Sequence, residues 1–241
     1  MTDVTIRTEY KQQKEIEKRK AENPLRDIIL GGQDGLVNSL GIILGISVAT
    51  TDTRILITAV LAAAVAESIS MGAVAYTSAL TQRDFYMKER KKEARRIETI
   101  PDLEKEDLRN IYRKKGFRSK TLEEIVDTIT ADKNIWLDVI MAEELHLSPV
   151  NTKTILKSSF IVMIATGIGH IIALMPFFFY SHQTGLILSL TVSAVTLFIV
   201  GVYQAVSLDG NWWRNGIRMV LIGIGAALIG YCIANLFHTR G

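Results

Sequence analysis

Five long apolar runs decide what this chain can fold into: Ile28–Ala49, Ile55–Leu80, Ile155–Tyr180, Leu186–Leu208 and Ile217–Phe237. Each can cross a bilayer as a helix, for which about 20 residues suffice. The charges gather elsewhere. Of the 28 Lys and Arg, seven lie in residues 1–26 and sixteen in 81–153. The expected fold is all-α: a polytopic membrane protein with five transmembrane helices and a cytoplasmic helical insertion between the second and third. Its segments are a charged cytoplasmic N-terminal helix (1–26), a transmembrane hairpin (27–80), the insertion (81–153) and three further spans (154–241).

The positive-inside rule places the basic N-terminus and the insertion in the cytoplasm, with the C-terminus outside; Arg54 and Arg240 are minor exceptions. The first 24 residues are highly charged and lack the apolar core of a cleavable signal, so targeting is expected to rely on the first span. Acidic residues interleave the basic ones and the net charge is only +3, which argues against a nucleic-acid partner. The single cysteine, Cys232, sits in the last span, so no intrachain disulfide is possible.

Ionisable groups inside the apolar runs mark where chemistry is expected. Asp34 lies in the first span with Asn38 one turn on, and Glu67 and Met71 share a face of the second. A carboxylate at membrane depth faces a partner, a cavity or an ion path. At 1.5 Å per residue, Asp34 and Met71 lie at similar depths, roughly 10 and 13 Å from the cytoplasmic ends of their helices, with Glu67 about one turn deeper. Carboxylates with a thioether suit a first-row divalent metal better than Mg²⁺. Asp34, Asn38, Glu67 and Met71 are therefore the candidate transport pathway. Gly41 and Gly45 continue the Asp34 stripe as bare backbone suited to close helix packing. His170, between Gly167 and Gly169 in the third span, reads as a buried, hydrogen-bonded histidine, with ligation or proton relay as the alternative. Pro176 is expected to kink or end that span. Trp212 and Trp213 read as an interfacial anchor.

The insertion is expected to hold four helical pieces. The first continues the second span to about Thr99, the second spans about Asp102–Lys115 with Gly116 as C-cap, and the third spans about Thr121–Thr130 with Thr121 and Glu124 forming a capping box. The last is Ile135–Leu147. Acids recur at ligand-friendly spacings, as Glu89/Glu93 and Glu104/Asp107, beside the Met141/Glu144 pair. These six are the candidate metal-binding residues of the insertion. Glu143-x-x-His146 is a literal half-motif of di-iron bundles. A membrane-anchored ferroxidase or a metal sensor is therefore the alternative reading.

With these residues assembled, the chain resembles the vacuolar iron transporter family over nearly its whole length. The resemblance rests on Gly32-Gln-Asp-Gly-Leu-Val37, Ser70-Met-Gly-Ala73 and Trp136-Leu-Asp-Val-Ile-Met-Ala-Glu-Glu-Leu145, in that order. It implies a homodimer in a cell or vacuolar-type membrane that moves Fe²⁺, and also Mn²⁺, out of the cytosol against protons, with no permanently bound cofactor and no enzymatic activity. Asp34 and Met71 match the family's path residues. Glu93, Glu104, Met141 and Glu144 match its metal-collecting side chains, with Asp107 in place of a Glu. Three positions depart from the pattern. Ala75 stands where the family has a Glu, Glu67 lies one turn before Met71, and Arg96 occupies a place where an acid is expected.

Overall fold

In the computed structural model, residues 24–150, 152–207 and 210–238 are described; the expected N-terminal helix, apart from its last few residues, lies outside them. The described residues are helical, with no strand among them. In chain order the helices are α1 (Leu25–Ala49), α2 (Thr53–Thr99), α3 (Pro101–Lys114), α4 (Ser119–Thr130), α5 (Lys133–Val139), α6 (Thr152–Leu174), α7 (His182–Ser207) and α8 (Trp212–His238). Five of them, α1, α2, α6, α7 and α8, are long and apolar enough to cross a membrane. The chain divides into two compact units, one comprising the described residues up to Tyr76 and from Leu156 onward, the other Thr77–Ile155.

In the first unit all five apolar helices meet in one core of Leu36 and Ile43 (α1), Leu56 and Val60 (α2), Ala173, Leu174 and Phe177, Leu197 (α7) and Met219 (α8). Hydrocarbon offers no hydrophobic gain for bringing helices together, so close backbone approach through small residues has to supply it. The α1–α6 contact is built this way. A side chain at Gly31 would strike the carbonyl of Val162, one at Gly35 the carbonyl of Thr166, and one at Gly169 the backbone of Gly32 and Leu36. On the other side of α6, Gly167 faces the Ser68 hydroxyl and Gly72 of α2 faces Met163. Helix α6 thus lies against both α1 and α2. Past Leu174 it tightens into a 3₁₀ turn, Met175–Phe178, at Pro176, which has no N–H to continue the α-helical ladder.

The second unit closes over its own core of Tyr86, Ile97, Leu108, Leu122, Val126, Ile129, Trp136, Leu137, Ile140 and Met141. Three local expectations change here. Helix α4 begins at Ser119 with Arg118 as its N-cap and no side-chain cap; Thr121 is already inside, and Glu124 pairs with Lys120 one turn back at 3.5 Å. Helix α5 begins earlier than Ile135, because Asp132 caps it by accepting from the Asn134 and Ile135 amides. It then widens into a π-helical turn, Ile140–Glu144, and stops. His146 follows in the left-handed region at φ 54°. Gly116 has φ 102°, as its place after α3 demands.

Candidate functional site

Three helices of the first unit converge on Glu67. From α1, the Asn38 amide donates to Glu67 Oε1, and the Asp34 carboxyl lies within hydrogen-bonding reach of the Glu67 carboxyl. From α6, His170 Nε2 lies 3.0 Å from Glu67 Oε2. The glycines explain why these side chains can meet: α1 and α6 touch backbone to backbone at Gly35 and Gly169, one residue from Asp34 and from His170 respectively. Met71 is half-buried one turn from Glu67 on the same face of α2.

The tautomer of His170 follows from its surroundings. Nδ1 lies 3.0 Å from the carbonyl oxygen of Thr166. A carbonyl only accepts, so Nδ1 carries a hydrogen. Nε2 is left facing Glu67 Oε2 at 3.0 Å without forming a hydrogen bond to it. Two carboxyl groups in contact at low dielectric need positive charge between or beside them, and here the choices are a proton, an imidazolium or an incoming cation. Carboxyl, imidazole and, one turn away, thioether are donor types that borderline divalent metals accept, although these side chains are not arranged as a ready-made metal site. Of the four path candidates, Asp34, Asn38 and Glu67 are brought together. His170 joins them from outside the sequence-based set. Its signal was Thr166 four residues earlier, which puts the carbonyl that orients the ring one turn back on the same face.

The second unit holds an acidic cluster with cations inside it. Glu93 and Glu104 are 1% and 0% exposed, unusual for carboxylates. Arg96 Nε lies 2.7 Å from Glu104 Oε1, its Nη1 3.4 Å from Glu93 Oε2, and its Nη2 4.0 Å from Asp107 Oδ2. Glu144 is close enough to feel Asp107, Glu93 and Arg96. Glu89 pairs with Lys92 at 3.2 Å, and Lys92 stands 3.8 Å from Glu93. Met141 is packed in the apolar core. Four of the six candidates, Glu93, Glu104, Asp107 and Glu144, therefore share one electrostatic neighbourhood, organised around Arg96. Among the described residues, no three His, Cys, Asp or Glu side chains converge as a ready-made metal site.

Burial pushes the Glu104 carboxyl above its ordinary 4.5; neighbouring Glu93, Glu144 and Asp107 add to this and Arg96 opposes it. Burial likewise raises Glu144, helped by Asp107 and Glu93 and opposed by Arg96 and Lys92. Both groups bind a proton more tightly folded than unfolded. Their contribution to stability is complete below 4.5 and is lost as pH rises through the raised values. In metal-free protein the insertion should therefore become more resistant to denaturant on mild acidification, by no more than about 1.4 kcal/mol per pH unit for each group. Fluorescence of Trp136 in a Trp212→Phe/Trp213→Phe background reads this out, and Glu144→Gln should flatten the slope.

Comparison with known proteins decides the family. The model of the VIT family matches residues 25–235. The chain belongs to the VIT family. It is 28% identical over 220 residues to vacuolar iron transporter 1 of Tulipa gesneriana, covering 91% of this chain and 89% of the relative. It is 29% identical over 213 residues to vacuolar iron transporter 1 of Arabidopsis thaliana, covering 88% and 85%. The vacuolar iron transporter of Plasmodium falciparum is 31% identical over 220 residues, covering 87% and 80%. The VIT family match spans Asp34, Asn38, Glu67, Met71 and His170 and the acidic cluster alike.

Proposed function

We propose that this VIT-family protein moves a divalent metal cation, Fe²⁺ and also Mn²⁺, out of the cytosol in exchange for protons. The observation that carries the reading is the meeting of Asp34 and Glu67 between apolar helices, with His170 against them. Asn38 and His170 lie against the Glu67 oxygens. A cation entering from the cytosol takes over carboxylate oxygens that protons and protein donors hold otherwise. Metal and proton then compete for the same atoms, which is the physical basis of exchange. The names of the relatives, vacuolar iron transporters, support the choice of metal.

The carboxylates of the insertion gather metal ahead of the path. The protein works as a homodimer, as the resemblance to the family implies, and its N-terminus and insertion face the cytoplasm, as the distribution of Lys and Arg suggests. It has no need of a resident cofactor, and its role is transport rather than catalysis. The ferroxidase alternative draws no support from Glu143-x-x-His146: helix α5 and its π turn end at Glu144, His146 is left-handed beyond them, and Glu143 is paired with Lys115. A sensor that used the spans only as anchors would leave the Asp34–Glu67 contact without a purpose.

The test is a flux panel in proteoliposomes with an imposed pH gradient. Fe²⁺ and Mn²⁺ uptake should follow the gradient, and Mg²⁺ should be excluded. Uptake indifferent to the gradient would remove proton exchange from the reading, and absence of flux for every metal would remove transport.

A further inference from the structure

We propose that Arg96 is a resident cation of the insertion's acidic cluster, which a divalent metal must displace in order to bind. Arg96 therefore sets how tightly the insertion holds metal. The inference rests on the metal-handling role proposed above.

The guanidinium is placed where a metal would go. Its three nitrogens address Glu104, Glu93 and Asp107 at 2.7, 3.4 and 4.0 Å. A divalent cation on the same carboxylates needs its oxygens at about 2.0–2.6 Å. A divalent cation at that distance would stand against the guanidinium, a like charge among the same three carboxyls, so the two compete for the cluster. One guanidinium also leaves the cluster under-filled. Glu104 is 0% exposed and its Oε2 has no hydrogen-bond partner; one buried oxygen of Glu144 is likewise without one. These are buried carboxyl oxygens without a hydrogen-bond partner beside Arg96, a costly arrangement unless a proton or a cation visits.

Arginine cannot be removed from such a site by deprotonation, so acidity alone never opens it; the side chain has to move. It has room to do so. Arg96 is 32% exposed and lies in the last turn of α2, three residues before the helix ends at Thr99. A long, flexible stem can carry the charged head to water while its carbons stay on the apolar surface. An acid at this position would add a ligand. Arginine adds a competitor, so the insertion binds metal only when cytosolic metal is abundant enough to displace it.

The experiment uses the full chain in detergent with Mn²⁺ as the probe, in an Asp34→Ala background so that the membrane path is silenced. Mn²⁺ binding is read by electron paramagnetic resonance and thermal unfolding by Trp136 fluorescence, with Trp212 and Trp213 changed to Phe. Arg96→Gln is expected to bind Mn²⁺ at least about tenfold more tightly than its parent. It should unfold at lower temperature without metal and recover when Mn²⁺ is added. Arg96→Lys keeps the charge and hence the fold. It should show a smaller gain, because an ammonium cannot span three carboxylates. Unchanged affinity in both variants, or a stability loss in Arg96→Gln that Mn²⁺ does not repair, overturns the proposal and makes Arg96 a permanent salt bridge. Wild-type flux separates the two readings. Tighter binding without flux sinks transport and keeps this inference, and normal flux with unchanged binding does the reverse.

Discussion

An Asp34→Ala protein is expected to fold, to purify like the wild type, and to carry no metal above the background of protein-free liposomes. The reason lies in the charge pairing at Glu67. Asp34 is the one acid of α1 placed against the Glu67 carboxyl. Removing it deletes one of two like groups from a low-dielectric contact, which relieves repulsion instead of leaving an unpaired charge. Glu67 keeps Asn38 as its donor and His170 beside it. The melting temperature should therefore hold or rise while uptake disappears. That split between stability and flux distinguishes a path residue from a structural one. Equal uptake by the variant would sink the assignment of Asp34. His170→Gln in the same assay bears on the proton: glutamine preserves a donor toward Glu67 but cannot become an imidazolium, so residual flux should lose its dependence on the pH gradient.

Gly35→Val should be the most damaging single substitution in the membrane unit. Even a methyl group at Gly35 would meet the Thr166 carbonyl oxygen and come within 2.8 Å of His170 Nδ1. The first obstacle is backbone, which cannot turn aside as a side chain can. Overpacking a tight contact costs about 1–3 kcal/mol, and here it also pushes apart the two helices that supply Asp34 and His170. Gly35→Val is expected to yield little folded protein. Gly35→Ala should be recovered with a lowered melting temperature and weak flux. Gly41→Ala is the matched control, since nothing lies within 4 Å of its added carbon. It gains about 0.8–1 kcal/mol of helix propensity, although in a membrane helix only part of that is realised. Thermal unfolding of the three proteins in detergent checks the ranking, and equal stability of Gly35→Ala and Gly41→Ala would contradict the α1–α6 contact.

The contrast between these two glycines marks the limit of periodicity. Both sit on the stripe that begins at Asp34, and spacing alone treats them alike. The Cβ position of Gly35 points into α6, while Gly41 lies with its backbone against Gly230 of α8 and its own Cβ position in open space, so the direction each position faces decides its tolerance. The same limit applies to the ligand spacings in the insertion. Glu89 and Glu93 are one turn apart, yet Glu93 joins the buried cluster and Glu89 pairs with Lys92. Met141 has the spacing of a ligand and lies in the apolar core.

The sequence by itself determined the all-α class, the five spans, the separation of a charged insertion from them, and the identity of the acids that do not belong in lipid. All of these depend on length, hydropathy and charge along one dimension, which the bilayer converts directly into structure. Only the tertiary structure decided that His170 turns its Nε2 to Glu67, that Asp34 and Asn38 reach the same carboxyl, and that Arg96 fills the cluster where an acid was expected. Each of those pairings joins residues on different helices or across a bend in the chain. Their meeting depends on where small residues let backbones touch, and no spacing within a single helix records it.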